Sequence, residues 1–172
     1  MLKLNDTLPA ATLYEYNEIE GEGCPIGPAA VDVVAAAKGK TVAMFALPGA
    51  FTPTCSAKHL PGYLAAMGDL QAAGVDEVWC VSVNDAFVMH AWGVQSQVAG
   101  RVRMLGDGAA AFTKAVGLEL DLSARGMGVR SQRYSALLVD GVVKALHIEA
   151  PGQFAVSDAA TMLAAAKTNQ GL

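Results

Sequence analysis

The sequence predicts an α/β protein with a central mixed sheet flanked by helices. Two apolar runs, Thr41–Leu47 and 77–83, have the length of buried strands, and each is followed by a segment with helical features. Near the carboxyl end, two β-rich runs are joined by Asp140-Gly141, a pair typical of a tight hairpin turn. Strands connected through helices run parallel, whereas a hairpin adds an antiparallel strand, so we expect a mixed sheet.

The first part of the chain is predicted to form an extended segment, a loop and a short helix. Residues 11–18 are the extended segment, and the glycine-rich stretch 21–28 reads as a connecting loop. The Ala-rich residues 31–37 are predicted to be a short helix that leads to the strand Thr41–Leu47.

The middle of the chain alternates between helices and strands. Apolar residues recur at helical spacing over 55–73, and Asn84 or Asp85 is expected to cap a helix that ends near residue 98. A short strand at 102–105 and a short helix at 109–116 follow.

The carboxyl-terminal part is predicted to be a hairpin and a closing helix. The hairpin strands are Tyr134–Val139 and Val142–Ile148, and Ser157 or Asp158 begins a helix that ends near residue 167. The resulting order of strand, helix, strand, helix, hairpin and helix is that of a thioredoxin-like fold.

Composition limits the classes of protein that this chain can belong to. Its 172 residues, 53% of them hydrophobic, are enough for one core, so we expect a single domain over 1–172. A net charge of −4 argues against nucleic acid as a partner. No apolar run is long enough to cross a membrane, and the amino terminus lacks the features of a signal peptide, so the expected location is cytoplasmic.

The three cysteines, Cys24, Cys55 and Cys80, indicate thiol chemistry rather than a disulfide scaffold. An odd number cannot pair completely within one chain, and a reducing compartment keeps thiols free. Their spacing matches no zinc pattern, and the three histidines are scattered, so we expect no bound metal.

Cys55 has the environment expected of a reactive cysteine. It follows a strand and lies at or near the start of a helix, where Pro53 is well tolerated. Unpaired N–H groups and the positive end of the helix dipole stabilise a thiolate there relative to a thiol. The alternative, an inert buried cysteine, is the more common fate of a lone cysteine.

The residues around Cys55 resemble the active-site signature of peroxiredoxins. The segment PGAFTPTC at 48–55, followed by SAKHLPGY, is closest to the branch that contains animal peroxiredoxin-5 and the plant type II enzymes. The likeness continues through 74–89 and through Arg133-Tyr134-Ser135 before the hairpin, and it extends from about residue 4 to 163. It implies a thioredoxin-like fold and a thiol peroxidase that reduces hydrogen peroxide and organic hydroperoxides.

The resemblance assigns roles to four residues. The family pattern falls on Pro48, Thr52 and Cys55, with Cys55 as the peroxidatic cysteine, and the family's active-site arginine falls on Arg133. It implies no metal, haem or flavin cofactor. It also implies that glutaredoxin with glutathione, or thioredoxin, regenerates the thiol, and that the protein is a homodimer.

Physical chemistry gives the pattern residues alternative roles. The Thr52 hydroxyl can hydrogen-bond a thiolate or a peroxide, or it can simply cap the helix. Pro48 limits access of water, or it is a plain turn residue. Backbone N–H groups of Thr54 and Cys55 are candidates for holding peroxide oxygens.

Other polar residues are predicted to support the site. Arg130 is the rival of Arg133, with an ion pair or a place at the substrate entrance as its expected role. His59 lies one helical turn from Cys55 and is expected to make a structural polar contact in the pocket wall. His90 and Trp92 are expected at the surface or at an interface, where Trp92, Phe87 and the loop at 48–51 provide apolar contacts between subunits. Cys24 has no counterpart in the family pattern.

Cys80 is a possible resolving cysteine. The plant type II enzymes carry theirs at this position, whereas animal peroxiredoxin-5 has one in the region that here reads GQFAVS at 152–157 and contains no cysteine. The strand context of Cys80 suggests instead a small buried residue. A bond to Cys55 requires the two Cα atoms to come within roughly 7 Å, and therefore local unwinding of the Cys55 helix.

Two other functions are alternatives to a peroxidase. A disulfide oxidoreductase would need a C-x-x-C pair, but Thr52 occupies the position of the first cysteine. A redox sensor or holdase that uses Cys55 only to signal would share every residue with a peroxidase.

Overall fold

The computed structural model describes residues 1–17 and 27–171. The strands, in chain order, are β1 (Thr12–Asn17), β2 (Gly27–Asp32), β3 (Thr41–Leu47), β4 (Glu77–Ser82), β5 (Arg103–Gly106), β6 (Glu119–Asp121), β7 (Val129–Ser131), β8 (Tyr134–Val139) and β9 (Val142–Ile148). The α-helices are α1 (Val33–Ala37), α2 (Leu60–Ala65), α3 (Met67–Ala72), α4 (Ala86–Gln95), α5 (Ala111–Ala115) and α6 (Ala159–Asn169). A π-helical turn (Cys55–His59) precedes α2, and a 3₁₀ turn (Ser123–Arg125) lies between β6 and β7.

Seven strands form one mixed sheet in the order β2-β1-β5-β4-β3-β8-β9. The three central strands β3, β4 and β5 are parallel, and β1 and β8 join them on either side in antiparallel pairing. Strands β6 and β7 form a separate two-stranded antiparallel sheet. The predicted central mixed sheet flanked by helices is therefore confirmed.

The two faces of the sheet pack against two hydrophobic clusters. Along β3, Phe45 and Leu47 point into the cluster formed with α2, α3, α4 and α6, whereas Val42 and Met44 point into the cluster formed with the amino terminus, α1 and α5. This alternation follows from the two-residue period of a strand. Because β3 and β4 are covered on both faces, they read in the sequence as continuous apolar runs.

Several boundaries follow from local sequence signals and were predicted correctly. Asp85 caps α4, since its carboxylate accepts a hydrogen bond from the N–H of Val88 at 2.9 Å. Asp140 and Gly141 join β8 to β9, and both have positive φ values, 49° and 75°, as a tight hairpin turn requires.

Two sequence predictions of secondary structure were wrong, and two strands were missed. Residues 27–32, assigned to a loop and the start of a helix, form the edge strand β2, and only 33–37 are helical. The predicted continuous helix over 55–73 begins with a π-helical turn and is interrupted at Ala66, whose φ and ψ of −92° and 1° are not helical. The two short strands β6 and β7 were not predicted at all.

Smaller differences concern the ends of elements. Helix α4 ends at Gln95 rather than near residue 98, and α5 is limited to Ala111–Ala115 because Ala110 adopts a left-handed conformation with φ of 57°. Residue 18 of the predicted extended segment, and 21–26 of the predicted loop, lie outside the described residues.

Candidate active site

Cys55 lies where the chain leaves β3 and enters the next helix. Pro53 and Thr54 are the first helical residues, and the carbonyl of Thr52 accepts a hydrogen bond from the N–H of Ser56 at 3.0 Å. The Cys55 side chain is fully buried at the base of this turn. The sequence prediction that Cys55 lies at a helix start is confirmed.

The helix begins with a π-helical turn, Cys55–His59. The N–H of Leu60 donates to the carbonyl of Cys55, five residues earlier, instead of the usual four. Such turns are uncommon and are found often at functional sites. Both ends of this turn, Cys55 and His59, are buried, and both face the same arginine.

That arginine is Arg133, the residue before β8. Its Nη2 donates a hydrogen bond to Sγ of Cys55 at 3.1 Å, and its Nη1 lies 2.9 Å from Nδ1 of His59. Strand β8 pairs with β3, so the sheet register places Arg133 beside the end of the strand that leads to Cys55. The structure thus brings together the cysteine, the arginine and the histidine that the sequence singled out.

His59 is held on both ring nitrogens. Its Nε2 lies 3.0 Å from the carbonyl oxygen of Ser157, which also accepts a hydrogen bond from the Tyr63 hydroxyl at 3.2 Å. Burial and the neighbouring charge of Arg133 lower the pKa of His59 from 6.5 to about 3. His59 is therefore neutral at physiological pH and makes the structural polar contact that the sequence predicted.

The loop before Cys55 is fixed by hydrogen bonds to its own backbone and to Asn84, which follows β4. The Thr52 hydroxyl donates to the carbonyl of Gly49 at 2.7 Å, and Oδ1 of Asn84 accepts a hydrogen bond from the N–H of Ala50 at 2.9 Å. Because its single hydroxyl proton is used in this way, Thr52 has only lone pairs to offer a ligand. The Thr52 side chain does not cap the helix.

Arg130 is directed away from Cys55. Its Nη1 donates to the carbonyl of Val83 at 3.1 Å, and its Nε donates to the carbonyl of Met127 at 2.8 Å. A Cβ atom at Gly49 would come within 3.2 Å of Nη1 of Arg130, so the guanidinium packs directly on the Gly49 backbone. Arg130 braces the loop. Among the described residues it takes part in none of the ion pairs and is not among the residues that line the cleft beside Cys55, so neither role expected from the sequence, an ion pair or a place at the substrate entrance, is observed.

An open cleft of about 1050 Å³ leads to the cysteine. Its lining includes Pro48, Thr52 and Thr54, from the loop and helix start around Cys55, and Arg133, which donates to Sγ of Cys55. The rest of the wall comes from β6, the 3₁₀ turn and the segment after β9, and includes Leu120, Leu122, Met127, Pro151 and Phe154. The cleft combines a buried thiol, a fixed positive charge and an apolar wall, which suits a small neutral ligand with an apolar group.

Cys80 is fully buried on β4 and is a free thiol, as is Cys55. Both cysteines belong to the same hydrophobic cluster, in which Cys80 is paired with Phe45 of the neighbouring strand. Burial raises the pKa of Cys80, and the negative charge of Cys55 raises it further. Cys24 lies outside the described residues.

Two expectations about the surface had different outcomes. Trp92 is not a surface residue: it is 1% exposed, and its indole N–H donates to the hydroxyl of Ser56 at 3.0 Å. Phe51 and Phe87 are indeed exposed, at 46% and 51%. His90 is half-buried and stacks on Tyr16 with the ring centroids 4.1 Å apart.

Sequence reasoning missed the loop that closes the site. Glu149, Phe154 and Ser157 all contact the residues around Cys55, either directly or through one neighbour. The hydrogen-bond partners of Glu149 lie six to eight residues away in an irregular segment, and no periodicity identifies such contacts. The only available signal was a carboxylate directly after a hairpin strand.

The described part of the chain contains neither a candidate metal cluster nor a candidate membrane-spanning helix. Within residues 1–17 and 27–171, no three His, Cys, Asp or Glu side chains are grouped as metal ligands would be. In the same ranges, every helix is too short or too polar to span a bilayer.

Comparison with known proteins identifies the family. A sequence profile of the Redoxin family matches residues 3–163. Rice peroxiredoxin-2E-2, described as chloroplastic, is 47% identical over 167 residues, which are 95% of this chain and 72% of the rice protein. The chain belongs to the peroxiredoxin family. It is thus a thiol-dependent peroxidase.

Solved structures of peroxiredoxins share the fold. Prx3 of Vibrio vulnificus, in its reduced form in complex with hydrogen peroxide, superposes with a TM-score of 0.88 at 49% identity, covering 96% of this chain and 99% of that one. A Burkholderia cenocepacia protein described as a putative thioredoxin reductase superposes with a TM-score of 0.91 at 58% identity, covering 95% and 97%. The predicted thioredoxin-like fold is confirmed.

Proposed function

We propose that Cys55 is the peroxidatic cysteine of this peroxiredoxin and that Arg133 and Thr52 assist it. The observation that carries the proposal is the 3.1 Å hydrogen bond from Nη2 of Arg133 to Sγ of Cys55. A guanidinium is permanently charged and is a strong donor to an anion. Its position favours the thiolate, which is the form of cysteine that attacks peroxides.

The reaction follows from this arrangement. The thiolate sulfur attacks the hydroxyl-bearing oxygen of the peroxide, and the O–O bond breaks. Cys55 becomes a sulfenic acid, and the departing alkoxide or hydroxide takes a proton from water and leaves as alcohol or water. Arg133 stabilises the negative charge as it moves from sulfur to oxygen.

The other residues of the inner cleft position the peroxide. Thr52 accepts a hydrogen bond from the peroxide O–H, since its own proton is donated to Gly49. The N–H groups of Thr54 and Cys55, in the first turn of the helix, are oriented to donate to the peroxide oxygens. Pro48 has no N–H group and restricts water at the edge of the cleft.

An external thiol is proposed to restore Cys55. A first thiol attacks the sulfenic sulfur, forms a mixed disulfide and releases water, and a second thiol then releases Cys55 and leaves as a disulfide. We propose glutaredoxin with glutathione, or thioredoxin, as the source. The raised pKa of Cys80 supports external reduction, because a thiol that stays protonated is a poor nucleophile.

A homodimer in a reducing compartment such as the cytoplasm is the proposed working form. Exposed Phe51 and Phe87 lie near the start of the Cys55 helix and on α4, and Val94 on α4 is 65% exposed. A partner that covers these side chains would remove apolar surface from water. Three cysteines cannot all pair within one chain, which suits a compartment that keeps thiols reduced.

A disulfide reductase activity is not supported by the site. The Burkholderia relative is described as a putative thioredoxin reductase. In this chain Thr52 lies where a C-x-x-C pair would have its first cysteine, and its hydroxyl is used to fix the Gly49 carbonyl.

Stopped-flow oxidation of Cys55 tests the proposal. Trp92, bonded to Ser56 beside Cys55, is a natural fluorescent reporter of the reaction. We expect the wild-type protein to react with hydrogen peroxide and tert-butyl hydroperoxide orders of magnitude faster than an ordinary thiol, and Cys55→Ser to consume no peroxide. Substantial turnover by a folded Cys55→Ser variant would remove Cys55 from the mechanism, and slow oxidation of the wild type would leave only a sensor role.

A further inference from the structure

We propose that Glu149 is a positioning residue, which holds Arg133 and His59 against Cys55 by ordering the segment at 150–157. The inference rests on the proposed role of Cys55 and adds a residue that neither the family pattern nor the sequence analysis selected. Glu149 follows β9 directly and is 6% exposed, although it carries a carboxylate.

The Glu149 carboxylate accepts hydrogen bonds from three consecutive backbone N–H groups. Ala155 donates to both carboxylate oxygens, at 2.8 and 2.7 Å, and Ser157 donates to Oε1 at 3.1 Å. Val156 donates to the same oxygen, Oε1. The segment that leaves β9 is thereby folded back around a single side chain.

The ordered segment contacts the catalytic group at two points. The carbonyl of Ser157, one peptide unit from an N–H held by Glu149, lies 3.0 Å from Nε2 of His59. The ring of Phe154 lies 5.0 Å from the His59 ring and 5.8 Å from the guanidinium carbon of Arg133. These contacts confine both Arg133 and the histidine that it contacts.

Glu149 and Arg133 are also neighbours on the sheet. The N–H of Glu149 donates to the carbonyl of Arg133 at 3.0 Å. Yet among the ion pairs of the described residues none joins these two side chains, because the carboxylate turns toward the segment at 155–157. The arrangement lets an acidic residue lie beside Arg133 without withdrawing the guanidinium from the thiolate.

The Glu149→Gln substitution tests whether the acceptor oxygens of Glu149, rather than the volume of its side chain, order the segment. Glutamine has the same shape but only one acceptor oxygen, and its NH₂ group would oppose the N–H groups that now converge on Oε1 and Oε2. In Glu149→Gln we expect the segment to loosen, so that Phe154 and Ser157 no longer fix Arg133 and His59. Oxidation of Cys55 by hydrogen peroxide should slow about 10- to 100-fold, the scale expected for a misplaced catalytic group.

The matched control is Glu119→Gln on β6, an exposed glutamate, which removes the same charge without touching this segment. Two readouts are needed for each folded variant: the rate of Cys55 oxidation, and the pH dependence of Cys55 alkylation by iodoacetamide. We expect Glu149→Gln to need a higher pH for half-maximal alkylation, because Arg133 is no longer held against the sulfur, and Glu119→Gln to match the wild type.

Two results would overturn the inference. One is a folded Glu149→Gln variant with wild-type rate and alkylation profile, and the other is a slowed variant whose alkylation profile does not move. If Glu149→Gln does not fold, Phe154→Ala is the second test, because it leaves every hydrogen bond of Glu149 in place. It must then show the same slower oxidation and the same shift of the alkylation profile. A Phe154→Ala variant that behaves as the wild type would overturn the inference that the segment at 150–157 positions Arg133. Failure of the proposed function is distinguishable, since the wild-type protein itself would then not react rapidly.

Discussion

Nη1 of Arg133 and Nδ1 of His59 are 2.9 Å apart, and this contact determines the protonation of the imidazole. A guanidinium can only donate, so Nδ1 must be an unprotonated acceptor, and the proton of the neutral ring is on Nε2, where it is donated to Ser157. His59 therefore orients Arg133 without competing with Cys55 for its charge. Protonation of His59 would place two positive charges in contact.

Stability should consequently fall at acid pH because of His59. The folded protein keeps His59 neutral down to pH of about 3, whereas an unfolded chain protonates it near a pKa of 6.5. Between these values the unfolded state binds one more proton, so the stabilisation is complete above pH 6.5 and is lost progressively as the pH falls. We expect this one residue to lower the free energy of unfolding by about 1.4 kcal/mol for each pH unit over that interval.

Urea unfolding at several pH values between 4 and 8 measures this effect. His59→Gln should be less stable than the wild type at pH 7.5, but its stability should decline less steeply below pH 6.5. Above pH 7 the two curves should be parallel. Equal slopes for both proteins throughout the acid range would show that His59 is protonated in the folded state.

Arg133→Ala should slow oxidation of Cys55 strongly. Hydrogen bonds to charged groups contribute about 1.5–3 kcal/mol, which corresponds to a rate loss of about 10- to 100-fold if the whole contribution acts on the thiolate. Arg133→Lys should recover only part of the loss, because an ammonium group cannot reach Sγ of Cys55 and Nδ1 of His59 in the same planar arrangement.

Arg125→Ala is the control for Arg133, since Arg125 is an exposed cation in the same cleft with no hydrogen bond to Cys55. Stopped-flow fluorescence at constant ionic strength should show a small change for Arg125→Ala and a large one for Arg133→Ala. Similar losses in both variants would mean that Arg133 acts only through the general charge of the cleft.

The sequence was most informative where a local signal determines the structure. The apolar runs of β3 and β4, the Asp85 cap and the Asp140-Gly141 turn depend on nearest neighbours and a fixed periodicity, and all were predicted correctly. The neighbourhood of Cys55 was also predicted, because the strand and the helix that present it are adjacent in the chain.

Features that depend on distant partners were not predictable in this way. Strand β2 is defined by its pairing with β1, and its Gly27 and Pro28 argue locally for a loop, although proline is tolerated at the edge of a sheet. Trp92 was expected at the surface or at an interface, yet Ser56, 36 residues earlier, accepts a hydrogen bond from its indole N–H and makes burial possible. Glu149 was not predicted for the same reason, since its carboxylate accepts hydrogen bonds from backbone N–H groups in a segment with no regular structure.

Phe87→Glu should weaken or abolish the proposed dimer. We propose that the exposed side chains of Phe51, Phe87 and Val94 form the contact patch. A carboxylate there would have to be desolvated on association, and burial of an unpaired charge is strongly unfavourable. Sedimentation at tens of micromolar should show a dimer for the wild type and a monomer for Phe87→Glu. Leu4→Glu, a substitution of another exposed apolar residue outside the patch, should leave the dimer intact. A wild-type protein that is monomeric at this concentration would contradict the proposal.

Cys80→Ser should keep much of the peroxidase turnover supported by glutaredoxin and glutathione. Cys80 is fully buried on β4, and burial raises the pKa of its thiol, so attack on a Cys55 sulfenic acid requires the π-helical turn Cys55–His59 to unwind first. An external thiol needs only access through the cleft. Turnover should be measured with glutaredoxin and glutathione and with thioredoxin, and thermal unfolding should establish that the serine, which introduces a hydroxyl into the core, has not unfolded the protein. A folded Cys80→Ser variant that is inactive with every reductant would make Cys80 an obligatory resolving cysteine, and the π-helical turn would then have to open in every catalytic cycle.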